Sequence, residues 1–102
     1  MTVKKRYLKS KPECRCTFVF PAKAAPSAQS VALAGDFNDW SIDSHPMKRL
    51  KSGDFKIELN LPAGQQYQYR FCIDGKQWEN DWSAEDYAPV AGLSVNNSVI
   101  TI

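Results

Sequence analysis

Two tryptophans stand where exposed aromatic rings are expected. Trp40 follows a turn-forming run at residues 36–39, and Trp78 comes soon after the turn signal Asp74-Gly75, so both lie near loop ends. An exposed aromatic plane beside hydrogen-bonding groups can stack on a flat ligand ring whose rim carries polar groups. Both tryptophans are therefore candidate stacking platforms, and burial in a core is the alternative for each.

Catalytic chemistry has weaker support. Glycoside hydrolysis needs two carboxylates across a bound sugar, but acidic residues in loops of a small domain are usually solvated. No nucleophile elbow, phosphate-binding loop or zinc-protease motif is present, and the single histidine, His45, precedes a proline with no evident partner. We therefore predict no catalytic residues. The acidic residues near the tryptophans in the sequence are Asp36, Asp39, Glu79 and Asp81.

The three cysteines are best interpreted as packing residues. Cys14, Cys16 and Cys72 form an odd set, and we expect them to be reduced thiols. With His45 they offer four possible zinc ligands, but the paired short spacing of structural zinc sites is missing. The sequence predicts no metal and no other cofactor.

Length and hydropathy limit the number of domains and the kinds of protein that this chain could be. The chain has 102 residues, of which 43% are hydrophobic and 12% aromatic, enough for the core of one domain. Its longest apolar runs are short, as at residues 31–34, which is too short for a membrane helix or a signal peptide. We expect a soluble, cytoplasmic protein with no membrane partner.

Positive charge is concentrated near the N-terminus. Residues 1–23 carry seven basic side chains and one acidic side chain, whereas the whole chain has a net charge of only +2. We interpret residues 1–12 as a flexible basic arm that contributes little to folding, and residues 13–102 as the folded domain. Contact with nucleic acid is the alternative, but aromatic residues for base stacking are not interleaved with these charges, so no nucleic-acid partner is predicted.

The hydropathy pattern is that of strands and turns. Apolar residues alternate with polar ones at residues 16–20, 55–61, 67–73 and 97–102, and residues 31–35 form a further apolar run. A return strand is expected from about Gln77, after the tight turn at Asp74-Gly75. The sequence therefore predicts an all-β, immunoglobulin-like antiparallel sandwich of about seven or eight strands, with no helix longer than about two turns.

Three segments carry a family resemblance over residues 17–102. In chain order they read VALAGDFNDW, FKIELNLPAGQQYQYRFCIDG followed closely by Trp78, and SVNNSVITI. Together they resemble the glycogen-binding early-set domains. This group includes carbohydrate-binding module family 48, the N-terminal modules of isoamylases and branching enzymes, and the glycogen-binding domain of the AMP-activated protein kinase β subunit.

The resemblance implies four carbohydrate-binding residues. It places tryptophans at Trp40 and Trp78, a basic residue at Arg70 and a hydroxyl-binding asparagine at Asn96. It implies a stand-alone module without catalysis that binds α-1,4-glucans such as glycogen and maltooligosaccharides. The alternative is a protein-interaction or scaffold domain associated with an enzyme of glycogen metabolism, which we expect if the tryptophans pack inward.

Other positions in the motifs have different expectations. Gly92 stands where the kinase relatives place a sugar-contacting leucine, and Leu93 follows it. Trp82 either extends the aromatic platform or fills the core, and we favour the core. Phe37 and Asn38 are interpreted as structural, the first as a core anchor and the second as a turn former.

Overall fold

A computed structural model describes residues 3–92 and 95–102, and these residues form nine strands in two sheets. In chain order the strands are β1 (Lys4–Tyr7), β2 (Glu13–Phe20), β3 (Val31–Gly35), β4 (Lys48–Arg49), β5 (Phe55–Pro62), β6 (Gln66–Ile73), β7 (Gln77–Glu79), β8 (Asp86–Pro89) and β9 (Asn96–Thr101). One sheet has the order β1-β2-β5-β4, and the other has the order β3-β6-β9-β8, with β7 also paired to β6. All pairings are antiparallel, which confirms the immunoglobulin-like sandwich.

The core lies between the two sheets and is built from alternate residues of β2 and β6. Phe18 and Phe20 point inward from β2 and meet Tyr69 and Phe71 of β6, with edge-to-face ring centroids 5.1 Å apart in each pair. Each such ring contributes roughly 1.5–3 kcal/mol when fully buried. The three free cysteines are also buried, as expected for packing residues.

Strand β6 organises the outer face of the five-stranded sheet. One edge pairs with β3, while the opposite edge pairs with β9 at residues 66–69 and with β7 at residues 71–73. Since side chains alternate across a strand, Gln68, Arg70 and Cys72 face away from the core. Arg70 therefore lies between the residues of β6 that pair with β9 and those that pair with β7.

The N-terminal segment differs from the expected arm. Residues 4–7 form β1, which pairs with β2, and Val3 is buried in the core. Lys5 also forms an ion pair with Glu85 and donates to the Thr101 carbonyl at 2.7 Å. The prediction of a flexible arm is therefore wrong for this stretch. An edge strand forms backbone hydrogen bonds on one side only and needs little apolar alternation. The charged sequence of β1 therefore shows no strand pattern.

Two other strands, β4 and β8, were not predicted either, because they also lack apolar alternation. β4 has only two residues, and β8 contains a proline, so neither shows a period of two. The count of nine strands exceeds the predicted seven or eight for this reason. Helical structure in the described residues is limited to two three-residue 3₁₀ turns, at Ala22–Ala24 and Asp36–Asn38. No helix in residues 3–92 or 95–102 has the length and apolarity needed to cross a membrane.

Candidate functional site

The loop after β3 fixes the position of Trp40. The Asn38 side chain accepts a hydrogen bond from the Gly35 N–H at 3.1 Å and donates one to the Leu33 carbonyl at 3.0 Å. Asp39 and Trp40 both adopt the left-handed conformation, with φ of 55° and 59°. This conformation is unfavourable for residues other than glycine, so the surrounding hydrogen bonds must hold it. Asn38 thus has the structural role expected of it.

A single carboxylate links Trp40 to the sheet. The Trp40 indole N–H donates to Oδ1 of Asp36 at 3.1 Å, and Oδ2 of the same carboxylate accepts from the Gln68 backbone N–H at 2.8 Å. The indole N–H of Trp40 therefore already has a hydrogen-bond partner within the protein. The ring is half-buried, and its orientation is set by β6.

Trp78 lies beside Trp40 on the outer face of the five-stranded sheet. It pairs with Cys72 across β6 and β7, and 40% of its side chain is exposed. The centroids of the two indole rings are 6.3 Å apart, with their planes inclined by 62°. The two tryptophans predicted from the sequence therefore form one aromatic cluster.

Arg70 completes this aromatic cluster. Its Cζ atom lies 5.2 Å from the ring centroid of Trp78 and 5.8 Å from that of Trp40, within the range of cation–π interactions. Its Nε atom is buried and has no hydrogen-bond partner among the described residues. The cluster thus combines two aromatic rings, one fixed positive charge and one unused donor.

Asn96 and Asn97 occupy different environments. Asn96 is exposed at the start of β9, and its backbone carbonyl accepts a hydrogen bond from the Asn80 side chain at 2.8 Å. In the described part of the chain, no hydrogen bond joins it to the aromatic cluster. Asn97 is buried and donates to the Gln68 side chain at 2.9 Å, while its Oδ1 has no partner among the described residues. The structure therefore places Asn97 beside the row of outer-face residues on β6.

Sequence reasoning missed three residues of this face. Asp36 was considered only as a possible acid, whereas Gln68 and Asn97 were not considered as site residues. For Gln68 a usable signal existed, since it lies two residues before Arg70 on the same strand and must share its face. The contacts of Asp36 and Asn97 join distant parts of the chain, and no local pattern reports them.

Trp82 is not a core residue, so that prediction is wrong. Its side chain is 54% exposed, because the buried Asp81 before it anchors the turn from which it projects. Phe37 is partly buried against the core, 6.1 Å from the Phe18 ring, in agreement with its structural interpretation. Gly92 is an exposed turn residue with φ of 78°. Leu93 lies outside the described residues.

Two of the four acidic residues near the tryptophans, Asp36 and Asp81, have structural partners. Asp36 holds the Trp40 loop, and Asp81 accepts hydrogen bonds from the Tyr69 hydroxyl at 2.8 Å and the Ser83 N–H at 3.0 Å. Burial, followed by the Asp81 carboxylate, raises the pKa of Tyr69 far above its usual range, so the phenol remains a donor. No group of three potential metal ligands occurs in residues 3–92 and 95–102.

Comparison with known families gives the fold and the cluster a context. The family described as "Carbohydrate-binding module 48 (Isoamylase N-terminal domain)" matches residues 20–88, more than half of the chain. The chain belongs to this family. The resemblance recognised from the sequence motifs is thereby confirmed.

Several relatives are 1,4-alpha-glucan branching enzymes GlgB. The enzyme of Deinococcus radiodurans is 35% identical over 77 residues, covering 74% of this chain and 11% of the enzyme. That of Butyrivibrio fibrisolvens is 33% identical over 79 residues, covering 78% and 12%, respectively. That of Burkholderia cenocepacia is 44% identical over 55 residues, covering 51% and 8%. The chain therefore matches only about a tenth of each enzyme's length.

Proposed function

We propose that this member of the carbohydrate-binding module 48 family binds α-1,4-linked glucose polymers such as glycogen, and that it makes and breaks no bond itself. The observation that carries the proposal is the cluster of Trp40, Trp78 and Arg70 on the outer face of the five-stranded sheet. The family match and the glucan in the names of the related branching enzymes support the same ligand class.

The aromatic rings supply the apolar part of recognition. Trp78 offers an exposed face, and Trp40 is inclined to it by 62°, so the two rings form an angled surface rather than a flat one. An α-1,4-glucan follows a curved path, and successive glucose units can stack on rings that are inclined to each other. Arg70 beside both rings supplies donors to the hydroxyl groups at the rim of each sugar.

Two polar atoms beside the aromatic cluster are buried and have no partner among the described residues. The Arg70 Nε is a donor and the Asn97 Oδ1 is an acceptor, and both belong to side chains on the outer face of the sheet. Each atom has almost no accessible surface, so a sugar hydroxyl reaches it only when the side chain turns outward, and the bond then offsets part of the roughly 1–3 kcal/mol that an unpartnered buried polar atom costs. Sugar hydroxyls both donate and accept, and they match this mixed pair. Asn96, at the exposed start of β9, remains a proposed sugar-binding residue on the basis of the family resemblance.

The protein-interaction alternative was expected to place the tryptophans inward. Trp78 is instead 40% exposed and in contact with Trp40, which favours glucan binding. Action as a stand-alone module, a cytoplasmic location and association with an enzyme of glycogen metabolism remain predictions. The matched relatives contain this module as a small part of a longer enzyme.

Titration with maltoheptaose, followed by tryptophan fluorescence, tests the proposal. Because the glucan is flexible and well hydrated, we expect a dissociation constant on the order of 10 μM to 1 mM. Cellohexaose is the control, since its six glucose units are joined by β-1,4 linkages and follow a straighter path. A saturable change with maltoheptaose and a much weaker one with cellohexaose supports the proposal. Equal responses, or none at millimolar maltoheptaose, would overturn it.

A further inference from the structure

A second ligand site is indicated by the exposed Trp82. This residue lies in a cleft of about 200 Å³, whose lining includes Val19, Pro21, Lys23 and Asp54. The cleft shares no residue with the cluster of Trp40, Trp78 and Arg70. The exposed ring of Trp82 therefore belongs neither to the core nor to that cluster, which is called the first site below.

The position of Trp82 is fixed by the residue before it. Asp81 is 6% exposed, its backbone N–H donates to the Ser98 hydroxyl at 2.9 Å, and its carbonyl accepts from the Tyr87 hydroxyl at 2.6 Å. Its carboxylate accepts from the Tyr69 hydroxyl at 2.8 Å. Trp82 therefore projects from a turn that is anchored at several points in the five-stranded sheet. An exposed ring held in this way is pre-organised for binding, because little side-chain or loop entropy remains to be lost.

The opposite wall of the cleft comes from the other sheet and is also anchored. Oδ1 of Asp54 accepts a hydrogen bond from the Ala22 N–H at 2.7 Å, which holds the 3₁₀ turn that carries Lys23. A carboxylate accepts several hydrogen bonds, so Asp54, which lines the cleft, has acceptor capacity beyond its bond with Ala22. Lys23 is exposed and adds an ammonium donor.

The mixed charge of the cleft narrows the ligand class. The charged residues of the lining are two carboxylates, of Asp54 and Asp81, and the single ammonium group of Lys23, a balance that does not favour phosphates or other anions. An aromatic plane with a donor and an acceptor beside it suits a neutral, hydroxyl-rich ring. The volume of about 200 Å³ is below the range of drug-sized pockets, which limits the occupant to a small part of a larger ligand.

We infer that this cleft is a second sugar-binding site, which takes a terminal or branch glucose unit while the main chain of the same polymer lies on Trp40 and Trp78. The inference rests on the proposed function of the first site. Two weak sites that engage one polymer act at high effective concentration, so glycogen would be held more tightly than a short oligosaccharide. The small volume of the cleft favours a chain end or branch over the middle of a chain.

The test compares Trp82→Ala and Trp78→Ala with the parent and with Tyr7→Ala, which removes an exposed aromatic residue outside both sites. Amide and indole resonances are followed by NMR during titration with maltotriose. In the parent we expect shifts at Trp78 and Arg70 and also at Trp82, Lys23 and Asp54. Trp82→Ala should lose the shifts at Lys23 and Asp54 but keep the shift at Arg70. Trp78→Ala should lose the shift at Arg70 but keep those at Lys23 and Asp54.

Affinity electrophoresis in glycogen gives an independent readout. Retention of Trp82→Ala is expected to weaken about tenfold, and that of Tyr7→Ala to match the parent. Shifts confined to Trp78 and Arg70 in the parent would overturn the second site and leave the first intact. Shifts confined to Trp82, Lys23 and Asp54 would show sugar binding in the cleft, but they would overturn the site at Trp40 and Trp78 and with it the inference that one polymer occupies both. No shift at any of them at saturating sugar would overturn both.

Discussion

Asp36 accepts a hydrogen bond from the indole of Trp40 at 3.1 Å, and its second oxygen accepts one from the backbone of Gln68 at 2.8 Å. A residue in a loop is thereby fixed to the central strand of the sheet that carries Trp78. The orientation of the aromatic cluster depends on this carboxylate as well as on the rings themselves.

Substitution Asp36→Ala tests this dependence. We expect glucan affinity to fall about 5- to 30-fold, because a hydrogen bond to a charged group contributes roughly 1.5–3 kcal/mol and part of that holds Trp40 in place. Isothermal titration calorimetry with maltoheptaose measures the change. Asp43→Ala, in the same loop but without a bond to Trp40, is the control. Unchanged affinity in Asp36→Ala would show that the carboxylate does not position the ring.

Gly35 is required where β3 passes close to β6. A Cβ atom at this position would lie 2.5 Å from the Gln68 carbonyl oxygen and 2.9 Å from the Tyr69 Cβ. Because both contacts are with rigid parts of the sheet, Gly35→Ala should lower the free energy of unfolding by about 1–3 kcal/mol. Urea denaturation followed by circular dichroism measures it. A midpoint equal to that of the parent would contradict this account of the glycine.

The Lys5–Glu85 ion pair makes stability depend on pH. Burial alone would raise the pKa of Glu85, but hydrogen bonds from Lys5 and the Thr101 N–H outweigh it and lower the pKa below 4.5. A carboxyl with a lowered pKa in the folded state stabilises the protein above its unfolded pKa, and the effect is lost as pH falls through the folded pKa. We expect Glu85→Gln to be less stable than the parent at pH 7, and the difference to shrink as the pH falls below 4.5 and through the lowered pKa of Glu85. A constant difference in melting temperature from pH 7 to pH 3 would contradict this.

The buried thiols should be inert in the folded protein. Burial, with a further contribution from Cys14, raises the pKa of Cys16 to about 12. Burial also raises the pKa of Cys72. Since the thiolate is the reactive form, a thiol-specific reagent at pH 8 should label none of the three cysteines in native buffer and all three in guanidinium chloride. Rapid labelling of Cys16 in native buffer would show that β2 opens locally.

Much of the sandwich could be predicted because its central strands have two distinct faces. The alternation of Phe18 and Phe20, and of Tyr69 and Phe71, follows directly from one sheet face packing on the other. The edge strands β1, β4 and β8 have little apolar alternation, and local pattern alone does not detect them. The N-terminal charges of β1 in particular were interpreted as a solvated arm, whereas Lys5 bonds to Thr101, 96 positions away.

The candidate site was predictable to a similar degree. The family motifs identified Trp40, Arg70 and Trp78, and the structure brings these three together. The prediction for Trp82 relied on the average burial of tryptophan and failed, because the buried contacts of Asp81 turn the next side chain outward. Such an effect depends on packing between distant strands, which short-range sequence patterns do not report.

Calorimetric titration of the parent, Trp40→Ala and Trp78→Ala with maltoheptaose decides whether the two tryptophans carry glucan binding. Circular dichroism first establishes that each variant is folded, and Glu79→Gln is the control for a residue near Trp78 that is not assigned to binding. Each tryptophan variant is expected to lose at least roughly 1–2 kcal/mol of binding free energy, while Glu79→Gln binds like the parent. Folded Trp40→Ala and Trp78→Ala proteins that bind maltoheptaose as tightly as the parent would contradict it.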